Sequence, residues 1–290
     1  MKIGAHVSSA GGISKAVARG AEIGAEAIQL FGSSPQGWTF KPIPGEEIEA
    51  FRQGLAEAEI GPVFLHAIYL INMGTQNEEI LEKGIQSLVN YMELAAAIGA
   101  SGVIFHPGSH GGAGYDAIFP QAVSAIKRVL EHSPQGPCLM LENMAGMGQH
   151  IGAKFEDLGL ILRAVDSPRL KVCLDTQHAF AAGYDMTTKP GIEAMVEEFE
   201  RDVGVSNLYA VHANDSKRPC GSGVDRHDNI GEGFIGEEGF AAIMGNEAFH
   251  DVPFLLEVPG FDSPGLKSKG PDRKNIDILK NIRRELGLSA

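Results

Sequence analysis

The unit GVIFHP (102–107), DAIFPQAVSAIKRVLEHS (116–133) and CLMLEN (138–143) decides the fold of this sequence. Its first and last segments are short apolar runs bounded by Gly, Pro or polar residues, which is typical of buried parallel strands. The middle segment carries apolar residues at helical spacing. A strand, a helix and a second strand in this order predict a βαβ unit.

The same unit recurs on both sides of this segment. Further apolar runs predict six more strands: KIGAHV (2–7), AIQLF (27–31), VFLHA (63–67), VCLDT (172–176), LYAVHA (208–213) and PFLLEV (253–258). Helical patterns fill the remaining gaps and close the chain: 13–25, 46–60, 78–100, 155–166, 191–204, 237–246 and 274–286. Eight strands alternating with eight helices predict an α/β fold, a single (β/α)8 TIM barrel domain over residues 1–290.

Composition restricts the setting in which this chain works. Its three Cys form no CxxC pair, its N-terminus lacks the apolar stretch of a secretory signal, and no apolar run approaches a membrane span. We therefore expect a cytoplasmic protein without a membrane segment. The formal net charge of -13 argues against a nucleic-acid partner. However, bound divalent cations would reverse the local sign wherever acidic residues are metal ligands.

Ligand-type residues end six of the predicted strands. They are His66, His106, Glu142, Asp175, His212 and Glu257, and His178, Asp225 and His227 follow in loops. A lone His in such a place is more often a hydrogen-bonded core residue, but barrel closure brings all six strand ends to one mouth. Nine N and O ligands without a thiolate favour zinc, with manganese as an alternative at one site. Nine ligands exceed the need of one ion.

The motifs around these residues resemble a known family. HPGSH (106–110), LDTQHAFAAGYD (174–185), HANDSK (212–217) and GSGVDRH (221–227) are similar to endonuclease IV, the second family of apurinic/apyrimidinic endonucleases. The resemblance extends over nearly the whole chain. It implies a TIM barrel with three zinc ions that acts on double-stranded DNA in base excision repair. The reaction would cleave on the 5′ side of an abasic site, giving a 3′-hydroxyl and a 5′-deoxyribose phosphate.

The resemblance also divides the ligands into three sets. The first set is His66, His106 and Glu142; the second set is Glu142, Asp175, His212 and Glu257; the third set is His178, Asp225 and His227. Glu142 would bridge two ions and act as the catalytic residue, with a metal-bound hydroxide as nucleophile. The resemblance implies a monomer without an obligate protein partner.

The expected DNA contacts lie in loops. Tyr69 and Leu70 resemble the family's DNA-inserting pair, although the same residues are also compatible with an apolar helix start after the third strand. Gln36 and Arg226 are the other expected contacts. Gln36 stands where relatives that insert an Arg carry a basic residue.

Two further features concern phosphate binding. Gly37 and Gly223 also stand where basic residues are common in the family, so we expect either weaker DNA binding or a different filling of the abasic gap. The segment GEGFIG (231–236) is compatible either with backbone N–H groups that face a phosphate or with a plain turn.

An alternative hypothesis is a sugar isomerase or epimerase with a xylose-isomerase-like barrel. Such enzymes need the second set but have no evident use for the third set, and they usually carry a Lys or a second Glu for proton transfer. Lys217, in the HANDSK segment after His212, is the candidate Lys for this role. A catalytically inactive DNA-binding barrel is disfavoured because no ligand position is lost.

Overall fold

Eight parallel strands close into a barrel in the computed structural model, which describes residues 1–262 and 269–290. The strands of the described chain are β1 (Ile3–His6), β2 (Ala27–Phe31), β3 (Val63–His66), β4 (Gly102–Phe105), β5 (Cys138–Glu142), β6 (Leu170–Asp175), β7 (Leu208–His212), β8 (Asp215–Ser216), β9 (His227–Asp228) and β10 (Phe254–Leu256). All except β8 and β9 form the barrel, in which β10 pairs with β7 and with β1. The predicted TIM barrel and its eight strands are confirmed.

Helices connect the strands around the outside. Those in the described ranges are α1 (Ser14–Ile23), α2 (Gly45–Ala58), α3 (Glu78–Ile98), α4 (Tyr115–His132), α5 (Phe155–Val165), α6 (Thr176–Ala182), α7 (Lys189–Asp202), α8 (Gly236–Met244) and α9 (Arg273–Glu285). None of them is both long and apolar enough to cross a membrane. Eight match the predicted helices, and α6 is an addition.

Helix α6 is a short helix that the sequence analysis missed. It follows β6 without a loop, because the Asp175 side chain caps it and accepts a hydrogen bond from the His178 N–H at 2.8 Å. Gly183 ends it in the left-handed conformation, with φ of 116°. Seven residues are too few for a helical period, so only the capping residues could have predicted this helix.

The long loop after β7 contains a two-stranded hairpin. Strands β8 and β9 pair antiparallel, with Asp215 opposite Asp228 and Ser216 opposite His227. This pairing anchors the backbone of a third-set residue, His227. Neither β8 nor β9 is among the eight strands that the sequence predicted, so both are additions.

The buried carboxylate of Asp215 holds the end of the same loop. It accepts backbone N–H bonds from Gly231, Gly233, Ile235 and Gly236 at 2.9–3.2 Å. These four donors already have a protein acceptor. The phosphate interpretation of GEGFIG was therefore wrong for them, and the turn interpretation holds.

Candidate metal centre

The inner face of the barrel changes from apolar to polar in one step. Its interior is filled by Ala27, Phe64, Ile104, Met140, Cys173, Ala210 and Leu255. Since side chains alternate along a strand, the residue two positions further on points the same way. We call the resulting polar layer the ligand layer; it consists of His6, Gln29, His66, His106, Glu142, Asp175, His212 and Glu257. Six of these eight residues are predicted ligands.

The first set meets at one oxygen of Glu142. His66 Nε2 lies 3.2 Å and His106 Nε2 lies 3.3 Å from Glu142 Oε2. Glu142 is fully buried at the end of β5. These three side chains are close enough to share a single ion.

The second set meets around His212. Its Nδ1 atom lies 3.2 Å from Glu142 Oε1, 3.4 Å from Glu257 Oε2 and 3.8 Å from Asp175 Oδ2. Glu142 therefore directs one oxygen toward each of two sets, as a bridging ligand must.

The third set lies at the edge of the layer. His178 Nε2 is 3.3 Å from Asp225 Oδ2, and His227 Nε2 is 3.4 Å from Asp225 Oδ1. Asp175 Oδ2 also lies 3.6 Å from His227 Nε2, and Asp175, His178 and His227 form a group that could hold an ion. Asp175 thus stands between the second and third sets, a position that the sequence analysis did not assign to it.

Hydrogen bonds fix which nitrogen faces the ligand sets in three of the histidines. His66 Nδ1 lies 2.7 Å from the Ala67 carbonyl, His178 Nδ1 lies 2.8 Å from the Asn143 carbonyl, and His227 Nδ1 lies 3.3 Å from the Glu257 carbonyl. A carbonyl oxygen only accepts, so these Nδ1 atoms carry the proton. In the neutral ring the proton is thus on Nδ1 and the lone pair is on Nε2, as is typical of metal-binding histidines.

Charge inside the layer favours bound cations. Burial opposes ionisation of Glu142, yet the neighbouring His212 and His106 hold the pKa of that carboxyl well below its usual range. Burial likewise opposes protonation of His178, but Asp175 and Asp225 raise the pKa of its ring well above its usual value. The carboxylates thus remain ionised and attract positive charge.

Several polar atoms of the three ligand sets lack a hydrogen-bond partner, and their positions test whether metal ions fit. Within the described part of the chain these buried atoms include Glu142 Oε1, His178 Nε2, His212 Nδ1 and His227 Nε2. A buried polar atom without a partner destabilises a protein by about 1–3 kcal/mol. All four converge on the ligand sets, and N and O donors without thiolate suit zinc or manganese. The residues therefore fit metal ions.

The predicted DNA contacts lie around the mouth. Tyr69 and Leu70 are in a turn after β3 and are 54% and 37% exposed. The Tyr69 ring lies 5.6 Å from that of His66. Since α3 begins only at Glu78, the alternative of a helix start at these residues was wrong. Gln36 and Arg226 are exposed in the loops after β2 and before β9.

Four polar residues outside the predicted ligand sets contact the ligands. Asn143 receives the Asp175 N–H at 2.6 Å, and Asn214 donates to Asp175 Oδ2 at 2.7 Å. Gln29 and His6 lie in the ligand layer itself, where His6 Nδ1 is 3.1 Å from Glu257 Oε1. Counting two residues on from the apolar interior would have identified Gln29.

Sequence comparisons relate this chain to TIM-barrel proteins and to proteins described as endonuclease 4. A family model described as a xylose isomerase-like TIM barrel matches residues 17–282. The chain is 39% identical to probable endonuclease 4 of Halothermothrix orenii over 98% of this chain and 100% of the relative. It is 38% identical to probable endonuclease 4 of Aquifex aeolicus over 96% of each chain.

Solved structures lead to the same family and the same fold. Endonuclease IV from Thermus thermophilus superposes with a TM-score of 0.84 and 34% identity, covering 98% of this chain and 100% of that one. A D-tagatose 3-epimerase-like protein superposes with a TM-score of 0.74 at 21% identity, covering 99% and 97%. At that identity the second likeness concerns the barrel fold alone.

Proposed function

The chain belongs to the endonuclease IV family, and from this membership we propose that it is a DNA-repair nuclease that uses bound divalent metal ions. It hydrolyses the phosphodiester bond on the 5′ side of abasic sites in double-stranded DNA. The products are a 3′-hydroxyl and a 5′-deoxyribose phosphate, as base excision repair requires. The proposal includes three zinc ions, with manganese as an alternative at one site.

The third set is the observation that carries this proposal. A sugar epimerase with this barrel needs the second set alone, and it has no use for a cation site beyond it. Here Asp225 lies within 3.4 Å of both His178 and His227, and Asp175 connects these residues to the second set. Adjacent cation sites suit phosphodiester cleavage, in which charge develops on both the attacking and the leaving oxygen.

The bound ions and the side chains would have different roles in the reaction. Bound ions would supply an activated water and neutralise charge on the phosphate. Glu142 keeps the first and second sets together, because its two oxygens face different histidines. Hydrogen bonds from His66 and His178 to backbone carbonyls hold both rings in the orientation that a cation requires.

Exposed groups around the mouth would engage the DNA. Tyr69 and Leu70 project where an apolar wedge could enter the base stack beside an abasic site. Gln36 and Arg226 would contact the DNA backbone on either side of this wedge. The proposal also includes a single catalytic domain over residues 1–290 that acts in the cytoplasm as a monomer without an obligate protein partner.

A defined duplex tests the proposal directly. The substrate is an end-labelled duplex with one abasic site, incubated with the purified protein in the presence and absence of EDTA. We expect a single cut on the 5′ side, a 3′-hydroxyl that a polymerase can extend, and loss of the cut with EDTA. Cleavage on the 3′ side, or cleavage that EDTA leaves unchanged, would contradict the proposed chemistry. One ion per active chain would favour the epimerase alternative.

A further inference from the structure

We propose that Gln29 is a positioning residue that sets the metal-facing atoms of His212 and Glu257. It is not a ligand itself, and the inference rests on the proposed function because it concerns ions held by the second set. Gln29 lies on β2, two residues after the interior residue Ala27. Its side chain is fully buried within the ligand layer.

The amide of Gln29 contacts two members of the second set at once. Gln29 Oε1 lies 2.8 Å from His212 Nε2, and Gln29 Nε2 lies 2.6 Å from Glu257 Oε1. The carboxylate only accepts, so the amide nitrogen must face Glu257 and the amide oxygen must face His212. Its nitrogen also lies 2.9 Å from His6 Nδ1. Glu257 therefore determines the orientation of the amide.

This orientation determines the tautomer of His212. Because Gln29 Oε1 accepts a hydrogen bond, the proton of the neutral ring stays on Nε2, and Nδ1 keeps its lone pair. Nδ1 is the atom that lies 3.2 Å from Glu142 Oε1 and 3.4 Å from Glu257 Oε2. Without the amide, the ring could carry its proton on Nδ1 and donate it to either carboxylate. That tautomer cannot bind a cation through Nδ1.

The same amide assigns different roles to the two oxygens of Glu257. The bond from Gln29 occupies Oε1, while Oε2 faces His212 Nδ1. The Glu257 backbone N–H is held separately by Asn214 Oδ1 at 2.8 Å, so the backbone does not depend on Gln29. The effect of Gln29 is therefore confined to side-chain orientation in the second set. A neutral amide does this without adding a charge that would compete for the cation.

Zinc binding to metal-free protein tests this role without relying on cleavage. Wild type, Gln29→Met and a control, Gln121→Met, are stripped of metal and titrated with Zn²⁺ against a chromophoric chelator. Gln121 is a matched control because its amide donates to the backbone carbonyls of Met73 and Thr75, away from the ligand layer. Loss of a supporting hydrogen bond typically weakens metal binding by about 10–100-fold.

We expect Gln29→Met to weaken one zinc site by about 10–100-fold and to leave the others and Gln121→Met at wild-type affinity. Melting of the metal-free proteins separates positioning from folding. Wild-type zinc affinities in Gln29→Met, with only a lowered melting temperature, would overturn the inference. If Gln29→Met does not fold, Gln29→Asn replaces it, since the shorter amide withdraws from both partners and should show the same loss. A wild type that binds no zinc would instead refute the proposed function.

Discussion

Replacing Glu142 by Gln should nearly abolish cleavage of an abasic duplex, because this residue serves two ligand sets. Its Oε2 lies within 3.3 Å of His66 and His106, and its Oε1 lies 3.2 Å from His212. The amide has the same shape, but it lacks the negative charge and presents N–H groups on one side. We therefore expect the barrel to fold and both cation sites to weaken.

The size of the effect follows from the fact that two ligand sets share Glu142. If each of the two sets loses about 100-fold in affinity, the combined loss is about 10⁴-fold. A loss of that size in cleavage rate corresponds to about 5.4 kcal/mol of transition-state stabilisation. The assay is single-turnover cleavage of the labelled duplex, with metal content measured on the same sample.

A second carboxylate provides the control for this experiment. Glu93 is exposed on α3, so Glu93→Gln should cleave at the wild-type rate. Circular dichroism establishes that both variants are folded. The reasoning is refuted if folded Glu142→Gln keeps its metal and cleaves within tenfold of wild type.

Three further predictions address the mouth, the loop and the opposite end of the barrel. Tyr69→Ala and Leu70→Ala should each weaken binding to an abasic duplex in fluorescence anisotropy, because an apolar wedge in the base stack is lost. The loss should be about tenfold or more for Tyr69→Ala, since stacking of a base on an aromatic ring contributes about 1–3 kcal/mol. Unchanged affinity would contradict the wedge role, and zinc content should not change. Asp215→Ala should lower the free energy of unfolding by about 2–4 kcal/mol in urea titrations, because several backbone N–H groups lose a charged acceptor. A loss below about 1 kcal/mol would mean that other hydrogen bonds hold the loop. Burial opposes ionisation of Glu26, but the hydrogen bond from Arg283 lowers its pKa from 4.5 to about 2. Its contribution to stability is therefore complete above pH 4.5 and is lost as the pH falls toward 2. The melting temperatures of wild type and Glu26→Gln are measured from about pH 6 down to about pH 2. The difference between the two melting temperatures should decrease as the pH falls, and a constant difference would argue against this linkage.

Local patterns in the chain were sufficient to predict the strands and to indicate which polar residues converge at one end of the barrel. Apolar runs such as VFLHA and CLMLEN identify buried strands because burial on both faces requires apolar residues at every position. The parallel arrangement then places His66 and Glu142 at the same end of the barrel. Helices with several turns were predicted for a similar reason, since their period is visible in the residues themselves.

Other features depend on which residues face each other across the closed barrel. In the sequence, Gln29 is an ordinary polar residue within AIQLF. It becomes important because barrel closure places it next to His212 and Glu257, which are 183 and 228 residues away along the chain. The position of Asp175 between two ligand sets likewise depends on the α6 cap and on the β8–β9 hairpin.

The difference between what the sequence predicts and what only the folded barrel decides has a physical cause. The type of each strand and helix follows from side chains that are close neighbours in the chain, so the order of residues contains it. Proton positions on His212 and the partner of each Glu257 oxygen are set by hydrogen bonds between distant strands, and distances of 2.6–2.8 Å between them exist only after the barrel has closed. The chain thus specifies which residues could bind metal, whereas the folded barrel selects the atom that each one presents to the site.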